Sequence, residues 1–102
     1  KITVIFALNY GGRDEIIRAA KKIKDTSIVD EKEFTALLDT SGIPDPEIIV
    51  RTGGEQRLSG FLLWQSEYSE LYFPSWYMPE FTEEKLDEVL DEYQKRIRRF
   101  GR

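Results

Sequence analysis

The sequence predicts an α/β fold, with a mostly parallel sheet and helices on its faces. Three observations carry this. Ile2–Leu8 is a near-continuous apolar run rich in β-branched residues, the pattern of a strand buried on both faces. Segments with helical spacing follow it, and Glu47–Val50 and Leu71–Phe73 read as further short strands. The resulting order is strand, helix, helix, strand, short helix, strand, helix.

The elements follow in turn. A buried strand at the first residues leads to the expectation that more chain precedes Lys1, so that residues 1–102 are a single domain segment. Asn9–Gly12 is turn chemistry, either near a ligand or a plain strand-to-helix turn. A helix is expected from about Arg13 to Lys24, with Ile16, Ala19, Ala20 and Ile23 as its apolar stripe. A second runs from Asp30 to Asp39, with Asp30 as N-cap and Glu33 at the capping-box position. Gly42, Pro44 and Pro46 then reset the chain for the next strand. Phe61–Trp64 predicts a short helix against the sheet, with Phe61 and Leu62 in the core. Ser75–Pro79 is an aromatic connector that covers apolar surface. Thr82 caps the last helix, whose apolar face is Leu86, Val89, Leu90, Tyr93, Ile97 and Phe100.

Composition narrows the function classes. The 102 residues are enough for a small core, and the formal net charge of −4 argues against a nucleic-acid partner. Cysteine and histidine are absent, which excludes disulfides, thiolate nucleophiles, Ser-His-Asp chemistry and His or Cys metal ligands within this chain. Oxygen ligands remain, and these suit Mg²⁺. No apolar run approaches the ~20 residues of a transmembrane helix. The expectation is a soluble, cytoplasmic protein.

The chemistry concentrates in Arg51–Gln65, directly after a strand. Gly53 and Gly54 free the backbone to turn and to bring N–H groups toward a ligand, while Arg51, Arg57 and Ser59 add two guanidinium groups and a hydroxyl. That set suits a phosphate or diphosphate. It also fits a Gly-Gly turn flanked by surface arginines, and physics alone leaves both readings open. Glu55 beside two guanidinium groups is expected to pair with them and orient them.

The run Arg51–Gln65, continued by Tyr68-Ser69-Glu70-Leu71-Tyr72-Phe73, resembles the signature of the cis-prenyltransferases, the isoprenyl diphosphate synthases. Leu8–Arg13 is similar to the family's N-Y-G-G-R block, and the spacing between the two blocks agrees. Gly60 departs from the Asn that many members have. The resemblance covers nearly the whole chain and identifies it with the C-terminal half of that fold. It implies condensation of isopentenyl diphosphate onto an allylic prenyl diphosphate with cis double-bond formation, giving a long-chain polyprenyl diphosphate that serves as a lipid-carrier precursor. It implies that Arg51, Arg57 and Ser59 bind isopentenyl diphosphate, with Gly53, Gly54 and Glu55 supporting, and that Glu70 serves a Mg²⁺ site. The essential aspartate motif belongs to the half not present here. No catalytic residue is therefore assigned in this chain, and the chain alone is expected to be inactive.

The resemblance further implies an apolar tunnel for the growing chain, a homodimer, and interface anchors at Trp64 and Tyr68. Its product is destined for the membrane, with the enzyme cytoplasmic or peripheral at that membrane. Arg99 and Gly101 have two readings. One is an ordinary helix end with a glycine cap; the other is the family's R-x-G tail, reaching across the dimer to the partner's diphosphate. A non-catalytic partner subunit of a heteromeric prenyltransferase and an unrelated anion-binding module are the competing classes.

Overall fold

Capping and tight turns determine where the helices begin and end. The computed structural model describes residues 1–100; for Ile28 and residues 97–100 it describes the backbone only. The chain forms two compact units. One comprises Lys1–Pro44 with Ser59–Trp64, and the other Asp45–Leu58 with the chain from Gln65 onward.

In the first unit, helix α1 spans Gly12–Lys21. It starts one residue earlier than expected and ends sooner, because the N–H groups of Lys22 and Ile23 bond the carbonyls of Ala19 and Ala20, three residues back. Such i→i−3 bonds tighten the last turn and stop the α-helix. The buried stripe also differs from the expected one. Ala19 is buried and Ile16 and Ile23 are half-buried, but Ala20 is exposed and Glu15 is buried in its place. Helix α2, Glu31–Thr35, is capped as expected: the Asp30 carboxylate accepts the Glu33 N–H at 2.8 Å. It stops four residues short of Asp39. The N–H groups of Leu37 and Leu38 again reach back three residues, which lets Leu38 turn into the core. Trp64 closes this unit, with its ring 4.7 Å from that of Phe34 and its indole N–H donating to the Thr35 hydroxyl at 3.0 Å.

In the second unit, β1 (Ile48–Val50) pairs in parallel with β2 (Glu70–Tyr72), Ile48 opposite Glu70 and Val50 opposite Tyr72. The ladder continues past both ends: Glu70 N–H reaches the Glu47 carbonyl and Arg51 N–H the Tyr72 carbonyl. Helix α3, Glu83–Phe100, begins at Thr82, whose hydroxyl accepts the Lys85 N–H. Val89 is buried and Tyr93 half-buried, but Leu86 and Leu90 are exposed, so this part of the expected apolar face is narrower than its spacing suggests; the side chains of Ile97 and Phe100 lie outside the described residues. Arg96 fixes the helix to the strand by donating to the Leu71 carbonyl at 2.5 Å. The aromatic connector places Trp76 against Phe81, with ring centroids 4.9 Å apart, while Tyr77 and Met78 are exposed. A parallel strand pair with helices before and after it makes this an α/β chain, as expected.

Two expected elements are absent from the described residues. Residues 1–8 form no strand, and Ile2, Val4, Ile5, Phe6 and Leu8 are exposed. A strand is defined by its ladder, and this run forms none among the described residues. Phe61–Trp64 is a chain of turns rather than a helix. Ser59, Gly60 and Leu62 have φ of 51°, 86° and 48°, which no right-handed helix accommodates. Phe61 is exposed in consequence, and the buried residue of this stretch is Gln65. No described helix is long and apolar enough to cross a membrane.

Candidate functional site

Strand β1 delivers Arg51 to the start of the glycine loop. Gly53 and Gly54 take φ of 91° and 78°, a region open to glycine at little cost. Their N–H groups do not face outward to a ligand, contrary to expectation. Gly53 donates to the Trp76 carbonyl and Gly54 to the Pro74 carbonyl, both at 2.8 Å. The sequence signal for a backbone anion cradle is thus a signal for docking two loop strands. A buried or half-buried N–H takes the nearest good acceptor, and the Pro74–Trp76 connector supplies two. A Cβ on Gly53 would lie 3.6 Å from the Tyr77 ring, so that ring is in reach of the loop's first glycine.

Charge in the loop is therefore carried by side chains. Arg51 and Arg57 are brought together: Nη1 of Arg51 donates to the Arg57 carbonyl at 2.8 Å. Arg57 in turn pairs with Glu55, in keeping with an orienting role for that carboxylate. The Arg57–Glu55 pair is solvent-exposed, so its strength is small and a multivalent anion can displace the carboxylate.

Ser59 lies in the first unit, whereas Arg51 and Arg57 lie in the second. It is exposed at the leading edge of the left-handed turn. Gly60 explains its own departure from the family's Asn: at φ 86° glycine fits, and Asn is among the few other residues that enter the left-handed region readily. Ser59 and Leu62 each carry strain of about 1–2 kcal/mol in that region.

Glu70 is not joined to the arginine loop. It starts β2 opposite Ile48, three residues before Arg51, roughly 10 Å along the strand direction. Its carboxylate faces Arg96, with Nη1 at 3.7 Å, and Arg96 also bonds Glu92 and lies over the Tyr72 ring. No group of three or more acidic, His or Cys residues gathers among the described residues. Glu70 can accordingly supply one hard oxygen ligand to Mg²⁺, an ion that takes one or two protein carboxylates and fills its shell with water and phosphate oxygens. The side chain of Arg99 and all of Gly101 lie outside the described residues. Trp64 is engaged within its own unit, and Tyr68 is 88% exposed.

Sequence reasoning missed the polar network beneath the Asn9–Arg13 block. Glu15 is only 1% exposed. It accepts the Tyr10 hydroxyl on one oxygen and the Asp39 N–H on the other, at 2.9 Å. Burial, then the bond to Glu15, pushes the Tyr10 hydroxyl above the ordinary phenol range; a backbone hydrogen bond from Leu62 works against this. Arg18 clamps Asp39 with two parallel bonds of 2.8 Å, holding that carboxyl below its usual range. One signal was available: Glu15 stands one helical turn before Ala19, on the buried face. A second missed contact joins the Tyr93 hydroxyl to Glu47 at 2.8 Å.

Comparison with known proteins gives a consistent result. A family model described as "Putative undecaprenyl diphosphate synthase" matches residues 1–101. An isoprenyl transferase of Treponema denticola is 47% identical over 96% of this chain and 44% of its own length. The ditrans,polycis-undecaprenyl-diphosphate synthase of Micrococcus luteus, described as (2E,6E)-farnesyl-diphosphate specific, is 47% identical over 98% of the chain and 43% of its own length. The chain thus spans less than half the length of these relatives. Among solved structures, lavandulyl diphosphate synthase from Lavandula x intermedia, in complex with dimethylallyl diphosphate, matches with a TM-score of 0.77 and 38% identity, over 82% of this chain and 40% of that one.

Proposed function

The chain belongs to the undecaprenyl diphosphate synthase family of cis-prenyltransferases, and from that premise we propose that the protein it forms part of condenses isopentenyl diphosphate onto an allylic prenyl diphosphate. The product is a long-chain polyprenyl diphosphate with cis double bonds. The observation that carries this reading is the intact Arg51–Ser59 loop, in which Arg51 organises the backbone that presents Arg57. A diphosphate must be held by its charge while the double bond of the same molecule meets the allylic carbon. Fixed guanidinium groups supply that hold, and orientation then contributes much of the rate. Arg57 exchanges the Glu55 carboxylate for diphosphate oxygens, and Ser59 offers a hydroxyl donor for isopentenyl diphosphate. The names of the relatives support the substrate class: one acts with farnesyl diphosphate and another binds dimethylallyl diphosphate.

Glu70 would contribute one carboxylate oxygen to a Mg²⁺ site, with water and phosphate oxygens filling the shell. When bound, Mg²⁺ neutralises diphosphate charge. Arg96 holds Glu70 at the head of β2. The working enzyme is a homodimer, cytoplasmic or peripheral at the membrane that receives its product, and Arg99 with Gly101 reaches the partner's diphosphate. The deciding experiment incubates the full-length protein with labelled isopentenyl diphosphate, farnesyl diphosphate and Mg²⁺. Long-chain radiolabelled product that migrates as a cis-polyprenyl diphosphate is expected. Absence of any product from the folded protein, with recovery only on addition of a second related subunit, would instead favour a partner-subunit role.

A further inference from the structure

We infer that Tyr10, Gly12 and Glu15 form a latch that imposes the left-handed turn Ser59–Leu62 and thereby aims the Ser59 hydroxyl. All of these residues belong to one compact unit. The inference rests on the reading above, in which Ser59 meets the diphosphate of isopentenyl diphosphate.

The turn requires outside support. Three of its four residues have left-handed φ, and two of those, Ser59 and Leu62, carry a Cβ. Conformations of this kind persist only where surrounding contacts over-determine them, and they concentrate at functional sites. Here Gly60 and Phe61 are held by the Tyr10–Gly12 block. Gly12 N–H donates to the Gly60 carbonyl at 2.8 Å. The Tyr10 ring meets the Phe61 ring edge-on, centroids 5.7 Å apart at 74°. The Leu62 backbone lies near enough to the Tyr10 hydroxyl to act on its ionisation.

Gly12 is dictated by this approach. A Cβ there would collide with the Gly60 carbonyl oxygen and come within 2.6 Å of the Leu63 Cγ. The Tyr10 hydroxyl is in turn oriented by Glu15, whose second oxygen is held by the Asp39 N–H. A buried carboxylate is costly unless its lone pairs are filled, and these two donors help to fill them. Glu15 is too buried to reach any ligand, and the Tyr10 hydroxyl is already engaged by Glu15. Both are positioning residues. Ser59 stands at the leading edge of the turn and is exposed.

The test uses the full-length enzyme and compares Tyr10→Phe, Ser59→Ala and the double variant. Tyr10→Phe keeps the ring and the fold and removes only the hydroxyl. It should raise KM for isopentenyl diphosphate by about five- to tenfold, the size of one lost hydrogen bond, and leave KM for the allylic substrate nearly unchanged. In the Ser59→Ala background it should add nothing, because the residues act as one unit. Amide hydrogen exchange at Gly12 and Leu62 should quicken in Tyr10→Phe. Additive effects on KM, or an equal loss for both substrates, overturn the inference. If Ser59→Ala leaves KM unchanged, the diphosphate role of Ser59 fails. Exchange then decides the latch alone: faster exchange at Gly12 and Leu62 upholds it as the device holding the turn, and unchanged exchange overturns it.

Discussion

Arg51 donates one guanidinium N–H to the Arg57 carbonyl, so it shapes the loop as well as adding charge to it. We predict that Arg51→Ala and Arg57→Ala each raise KM for isopentenyl diphosphate roughly ten- to a hundredfold, the range for a charge-assisted hydrogen bond of ~1.5–3 kcal/mol. Arg51→Lys should restore charge but not the planar fork that spans carbonyl and anion, and should fall between wild type and alanine. Steady-state kinetics with each substrate varied in turn measures this; unchanged KM in both alanine variants would rule out the arginine loop as the diphosphate site. Glu70 poses a separate residue-scale question. Glu70→Gln should weaken Mn²⁺ binding followed by electron paramagnetic resonance and raise the Mg²⁺ concentration needed for turnover. Equal Mn²⁺ affinity in wild type and variant would remove Glu70 from the metal site.

The glycine loop and the caps act at the scale of elements. Gly53 has φ 91° and donates to the Trp76 carbonyl, so Gly53→Ala should cost about 1–2 kcal/mol of stability from the left-handed backbone alone. Urea unfolding of the full-length protein measures it, and a change under a few tenths of a kcal/mol would contradict the docked-loop geometry. Asp30→Ala removes the N-cap of the short helix α2 and should cost about 1 kcal/mol. The bond from Tyr10 to Glu15 adds a pH signature. A hydroxyl whose pKa is raised on folding stabilises the protein below its unfolded value of 10.0 and loses that contribution as pH rises further. The melting-temperature gap between wild type and Tyr10→Phe should therefore be constant through neutral pH and shrink above pH ~10. A gap that shrinks already between pH 6 and 8 would point to a different titrating group.

At the scale of the whole molecule the proposed enzyme has composite sites. We predict that deleting residues 99–102 from the full-length protein cripples turnover without unfolding it. Mixing that deletion with an Arg51→Ala variant should partly restore activity, since subunit exchange yields one site with both defects and one with neither. No recovery, with exchange demonstrated by mass-tagged subunits, would leave the tail as an ordinary helix end. The isolated 102-residue chain should show no condensation activity in the same assay. Measurable turnover would mean that the aspartate motif is dispensable.

Helix α3 is legible in the sequence because its signals are local: Thr82 beside the acidic pair Glu83 and Glu84, then apolar spacing that places Val89 inside. The Asp30 cap is legible for the same reason, since neighbours within a few residues decide it; the apolar runs of the two strands are legible too, although their pairing joins distant residues. The motif Arg51–Ser59 also stands out in the sequence, and with it the family. The tertiary structure alone decided how that motif is used. Gly53 and Gly54 bond residues some twenty positions on, so their N–H groups were lost as ligand donors for a reason no local pattern contains. The burial of Glu15 depends on Tyr10 from one side and Asp39 from the other. The left-handed turn after Ser59 depends on Gly12, nearly fifty residues earlier. Local preferences are set by capping and periodicity along the chain, whereas the fate of a polar group is set by which distant acceptor reaches it first in three dimensions.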